Sequence, residues 1–97
     1  MTIIKDNALS RNKQLNIMQP KEIEQLIKQA IECDYVHIHS DDLRHYAAII
    51  VSSVFSGLSK IKRHQQVYSA LGSTMGNEIH AMSIQAMTPE EYQKLQS

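Results

Sequence analysis

Apolar residues recur at Ile23, Leu26, Ile27, Ala30 and Ile31, with Lys21, Glu22, Glu24, Gln25, Lys28 and Gln29 filling the positions between them. This i, i+3, i+4, i+7, i+8 spacing predicts a helix from about Pro20 to Glu32 with one buried stripe. Pro20 suits the first helical turn, where its missing N–H costs nothing. The period then shortens to two. Tyr35-Val36-His37-Ile38-His39 alternates, which predicts a half-buried strand with Val36 and Ile38 inward and Tyr35, His37 and His39 outward. Ser40-Asp41-Asp42-Leu43-Arg44 has the chemistry of a turn. His45 to Ser52, with β-branched Ile49, Ile50 and Val51 at its centre, predicts a second strand. So short a connection predicts an antiparallel hairpin.

A small connector follows from Ser53 to Leu58, punctuated by Gly57, and Ser59 is a suitable N-cap for a second helix. The expected apolar stripe of that helix is Ile61, Tyr68, Leu71 and Met75, flanked by Val67 and Ala70. Gly76 or Asn77 is expected to supply a left-handed cap after it. Ile79 to Ala86 predicts a third strand, with His80 near its start. Thr88-Pro89-Glu90-Glu91 spells a capping box, which predicts a short third helix. The order α-β-β-α-β-α implies an α+β fold in which helices cover one face of a small three-stranded sheet.

Ninety-seven residues make one domain. With no Trp and a single Phe, its core must be aliphatic. Ten basic residues balance ten acidic ones, so no global charge pulls the chain toward nucleic acid or an anionic membrane. One local cluster stands out: Lys60, Lys62, Arg63 and His64 open the second helix, where the helix dipole disfavours cations. A solvated charged face is the simpler account of it, and contact with a negative partner is the other. The single cysteine, Cys33, excludes a disulfide within the chain and points to a reducing, cytoplasmic setting. No apolar run approaches the roughly 20 residues that span a bilayer. Residues Met1 to Gln19 are polar and aperiodic, and are expected to form a flexible tail ahead of a domain spanning 20–97. Met18 leaves open which of Met1 and Met18 is the natural start.

The five histidines, His37, His39, His45, His64 and His80, are the chemical surplus of this sequence. His37 and His39 share a strand face, yet no H-x-x-x-H or C-x-x-C spacing signals a self-contained zinc site. A two-iron cluster needs four terminal ligands, of which two can be histidines on one iron. This chain could supply two imidazoles but hardly four ligands, so a cluster would have to be shared with a partner that brings sulfur. Cys33 is expected to be a small buried hydrophobe, and His64 a packed histidine. On composition alone His80 is best read as a satisfied, half-buried side chain beside Met82 and Ile84. No nucleophile elbow, Cys–His signature or phosphate loop appears, and enzymatic activity is not expected.

Several segments taken together resemble a known family. They are Val36-His37-Ile38 before the turn, His45-Tyr46, the run from Val51 to Ser59 (Val-Ser-Ser-Val-Phe-Ser-Gly-Leu-Ser), Arg63-His64-Gln65-Gln66-Val67-Tyr68-Ser69-Ala70-Leu71, Ile79-His80-Ala81-Met82-Ser83-Ile84-Gln85-Ala86, and Thr88-Pro89. The combination is similar to the BolA-like proteins, and within them to the short bacterial IbaG type, over about three-quarters of the chain. The resemblance implies a fold like the class II K-homology domain. The G-x-x-G nucleic-acid loop of true K-homology domains is absent, because Gly72 and Gly76 are one residue too far apart. It further implies a 2Fe-2S cluster shared with a monothiol glutaredoxin and its bound glutathione. The ligand position at the head of the last strand falls on His80. A second ligand from the hairpin turn falls on His45, with His39 as the competitor. His64 maps to packing or partner docking. The competing expectation is a nucleic-acid-binding regulator that uses Lys60, Lys62 and Arg63 on phosphates. The resemblance leaves open a homodimer and weak DNA binding.

Overall fold

A computed structural model describes residues 17–97. The expected tail over residues 1–16 lies outside the described residues. Met18 and Gln19, assigned to that tail from sequence, belong to the packed unit. Met18 lies against the core, and the Gln19 N–H donates to the Glu22 carboxylate at 2.8 Å across the first turn of helix α1, Pro20–Ala30. This helix ends two residues before its expected limit, because Ile31 is already extended. Ile23 and Ile27 are its fully buried residues.

Strand β1, Tyr35–His39, shows the alternation that its sequence predicts, with Val36 and Ile38 buried and Tyr35, His37 and His39 exposed. Strand β2, His45–Val51, pairs with it antiparallel, matching His39 to Ala47 and Tyr35 to Val51. A 3₁₀ turn, Ser53–Phe55, follows and buries Phe55 completely. Helix α2, Lys60–Leu71, is capped by the Ser59 hydroxyl, which accepts the Lys62 N–H. It crosses over to strand β3, Ala81–Met87, which lies parallel to β2 on the side away from β1. Parallel neighbours require such a crossover. The register sets His45 opposite Ala81 and Val51 opposite Met87. Helix α3, Pro89–Gln96, closes the chain behind the capping box of Thr88 and Glu91. Over the described residues the architecture is the expected α+β fold of three helices and three strands, with a sheet of order β1-β2-β3. Among the described residues no helix is long and apolar enough to cross a membrane.

The face that α2 turns to the core differs from the expected one. Ile61 is 70% exposed and Tyr68 44%, while Val67 is fully buried and Leu71 nearly so. Arg63, His64 and Ala70 are half-buried on the same side. Met75 lies beyond the helix, which stops at Leu71 because Gly72 takes φ +59° there. The left-handed closure therefore falls on Gly72, four residues before Gly76. Val67 and Leu71 pack into the core, and Arg63 is held on the same side of the helix. Its guanidinium donates to the carbonyls of Leu58 at 3.0 Å and Ala86 at 2.9 Å, and pairs with Glu91 at 2.8 Å. One side chain thus ties α2 to the end of β3 and the start of α3. Strand β3 begins at Ala81, two residues later than expected, since Ile79 and His80 bond instead to the turn around Thr74 and to Arg44.

Candidate metal centre

The β1–β2 turn is built by two short polar side chains. The Ser40 hydroxyl accepts the Leu43 N–H at 2.8 Å and donates to the His45 carbonyl at 2.7 Å. One oxygen of Asp42 accepts the N–H groups of both Arg44 and His45 at 3.0 Å. Leu43 takes φ +58°, a left-handed conformation that costs a leucine about 1–2 kcal/mol. The turn contains no glycine, so these side-chain bonds hold the bend. Below it, the Tyr46 hydroxyl lies 2.6 Å from the Met18 carbonyl oxygen and 3.0 Å from that of Leu43, tying the tip to the segment before α1.

The register then decides which histidines meet. His45 opens the central strand, and His80 immediately precedes Ala81, its partner on β3. The His80 N–H donates to the Arg44 carbonyl at 3.0 Å, docking one strand head on the other. The two imidazoles stand with centroids 6.5 Å apart and planes inclined by 52°. Both are exposed. His39 sits on β1, across the central strand from β3, and faces Asp41 at 3.0 Å through Nε2. His37 lies further down the same strand, opposite Ile49. His64 is half-buried on α2, lining a groove with Lys60 and β3 residues Ile84 and Gln85. Of the sequence candidates, the structure brings together His45 and His80. It leaves His39 to one side and His64 on another surface.

Electrostatics orient the pair. The second Asp42 oxygen lies 2.9 Å from Nδ1 of His45. The His45 N–H and ring, with the Arg44 N–H, hold the Asp42 carboxyl well below the usual carboxylate range. The Arg44 guanidinium reaches to 3.5 Å from Nε2 of His80. Guanidinium only donates, so that nitrogen carries the lone pair of the neutral ring. Sequence reasoning named the histidines and missed Asp42 and Arg44. The Asp-x-x-His spacing across a tight turn was the available signal.

Two rings bound through nitrogen to one tetrahedral metal have centroids about 5 Å apart, given metal–nitrogen distances near 2.1 Å. The observed 6.5 Å leaves about 1.5 Å to close, a movement that would fall to the exposed His80 ring while Asp42 holds His45, and the donor set would then supply two of a metal's four ligands. Among the described residues no group of three or more His, Cys, Asp or Glu side chains could hold a metal. The remaining ligands would come from outside the described residues. Cys33 is no substitute. Its half-buried thiol donates to the Ile31 carbonyl at 3.2 Å, and burial pushes its pKa up. Arg63, the third residue expected at a phosphate surface, is spent on Glu91 and two carbonyls. Lys60 and Lys62 remain exposed.

Comparison with known proteins agrees with this architecture. A family model described as BolA-like protein matches residues 27–91. The chain is 38% identical over 76 residues to the acid stress protein IbaG of Escherichia coli K12, covering 77% of this chain and 89% of that one. It is 30% identical over 83 residues to the DNA-binding transcriptional regulator BolA of Haemophilus influenzae, covering 72% and 81%. Its fold matches a solved bolA protein homologue from Coxiella burnetii with a TM-score of 0.67 at 33% identity, over 79% of this chain and 99% of the other. The paired strand heads, the histidine before β3 and these matches over most of the chain lead to one conclusion: the protein belongs to the BolA-like family.

Proposed function

We propose that this chain is a non-enzymatic partner of monothiol glutaredoxins that shares a 2Fe-2S cluster, serving cluster assembly and trafficking or iron sensing. The observation that carries the reading is the pair His45 and His80, two exposed imidazoles 6.5 Å apart on adjacent strand heads. Two histidines complete a cluster whose other ligands are a protein thiolate and a glutathione thiolate from the partner. Imidazole in place of thiolate raises a cluster's reduction potential and makes ligation sensitive to pH near neutrality. Within this chain, His80 and His45 would hold one iron, and the β1–β2 turn would hold His45 in place.

The test is to combine this protein, a monothiol glutaredoxin and glutathione with iron and sulfide, then record visible absorption and circular dichroism. The wild-type mixture is expected to differ from the glutaredoxin cluster alone, and His80→Ala to lose that difference. A His80→Ala spectrum identical to wild type would defeat the reading.

The name of the Haemophilus relative favours a second reading, duplex DNA binding. Lys60 and Lys62 are the exposed cations at the start of α2 that could serve it. Neutralising both is then expected to abolish a salt-dependent mobility shift. No shift with the wild-type chain at low salt would dismiss this reading.

A further inference from the structure

The β1–β2 turn holds two histidine–aspartate pairs of opposite sense. Asp41 meets His39 at Nε2, the outer ring nitrogen, at 3.0 Å. Asp42 meets His45 at Nδ1, the inner one, at 2.9 Å. An ionised carboxylate only accepts hydrogen bonds, so the hydrogen between each pair belongs to the ring. In the neutral rings, the lone pair is therefore on Nδ1 of His39 and on Nε2 of His45. The outer nitrogen is the one that reaches an ion beyond the strand head. His45 presents it bare, while His39 has it protonated.

We propose that Asp42 is a positioning residue that fixes His45 as the Nδ1–H tautomer and so selects it, rather than His39, as the second metal ligand. This inference rests on the reading of His45 and His80 as the ligand pair. Asp42 suits the task because its other oxygen is anchored. That oxygen accepts the N–H groups of Arg44 and His45, so the carboxylate plane is locked to the backbone that carries the ring. A carboxylate behind a ligating histidine sets ring orientation and raises ligand basicity, and its loss typically costs 10- to 100-fold in metal affinity. Asp41 is 92% exposed and its carboxylate bonds, among the described residues, to His39 alone, so it is not tied to the backbone as Asp42 is.

Asp42→Asn separates positioning from folding. The carboxamide oxygen can still accept the two N–H groups, while its NH₂ now faces Nδ1 and donates. The ring must then carry its hydrogen on Nε2, the wrong nitrogen for an outward ligand. Long-range ¹H–¹⁵N spectra of the metal-free chain, at about pH 8.5 where imidazole is neutral, report the tautomer directly. His45 is expected as Nδ1–H in the wild type and as Nε2–H in Asp42→Asn. An Nε2–H ring in the wild type, or an unchanged tautomer in the variant, overturns the proposal, whatever the cluster does. With the glutaredoxin-shared cluster, Asp42→Asn is expected to weaken cluster retention 10- to 100-fold, as Asp41→Asn does not. Equal retention by the two variants also overturns it. Should the tautomer reverse while His45→Ala leaves the cluster spectrum intact, the assignment of His45 as a ligand fails and the proposed selection fails with it, leaving Asp42 an orienting group only.

Discussion

Arg63 shows how one residue's role changes between the chain and the fold. In sequence it belongs to a basic run and looks like a phosphate contact. In the structure its side chain is 12% exposed and shared among two carbonyls and Glu91. Nothing local announces this, because Leu58, Ala86 and Glu91 lie five, 23 and 28 residues away. Arg63→Ala is expected to cost about 2–3 kcal/mol in urea unfolding, since it strips two partly buried carbonyls of a charged donor. The same contact governs acid stability. The Arg63 guanidinium, helped by the Thr88 N–H, holds Glu91 down to about 2 from an ordinary 4.5. A depressed carboxylate adds stability above its ordinary range and loses it as pH falls through the folded value. Stability is therefore expected to decline between about pH 5 and 2, and Glu91→Gln to flatten that decline in acid titrations followed by circular dichroism. Asp42, depressed by the His45 backbone and ring, adds to the same acid loss.

At the scale of elements, local patterns carried β1, α1 and the α3 cap with little error, because each is decided within a few residues. Val36 and Ile38 face inward by alternation alone, and the Thr88–Glu91 box closes within one turn. Helix α2 was harder. Its weakly segregated sequence offers two overlapping apolar stripes, one through Ile61 and Tyr68 and one through Val67 and Leu71. Both share Leu71, and only the packing partners choose between them. Val67→Ala is accordingly expected to cost about 2 kcal/mol, the value of a buried side chain of that size. Ile61→Ala is expected to change stability by less than about 0.5 kcal/mol. Comparable urea midpoints for the two variants would show that α2 is rotated differently in solution. The turn at Gly72 follows the same logic, because ending α2 four residues early lets Ile79 bury and brings His80 to Arg44.

At the scale of the molecule, the sheet has two unlike ends. His45 and His80 stand together at one, where β1 ends and β2 begins, with His39 to one side on β1. Tyr35, Val51, Met87 and α3 meet at the other, where Tyr92 stacks on Tyr35 with centroids 5.3 Å apart. His45 and Val51, at the two ends of β2, lie six residue steps apart, about 20 Å. Disturbing the α3 end is therefore expected to leave the histidine end intact. Tyr92→Ala should lower stability by about 1 kcal/mol without changing the visible spectrum of the mixture with monothiol glutaredoxin, glutathione, iron and sulfide. A coupled change in that spectrum would mean that the two ends do not act independently.

By itself the sequence determined the element order, the α1 and β1 periods and the Ser59 and Thr88 caps, because hydrophobic spacing and turn chemistry act over a few residues. It also singled out His45 and His80, through the company they keep in family-like segments. The tertiary structure decided which imidazoles stand together, since adjacency depends on a parallel register between segments some 35 residues apart. It decided as well that Arg63 serves the fold and that Asp42 grips His45. Those roles rest on distances between side chains, and the chain acquires such distances only when the sheet closes.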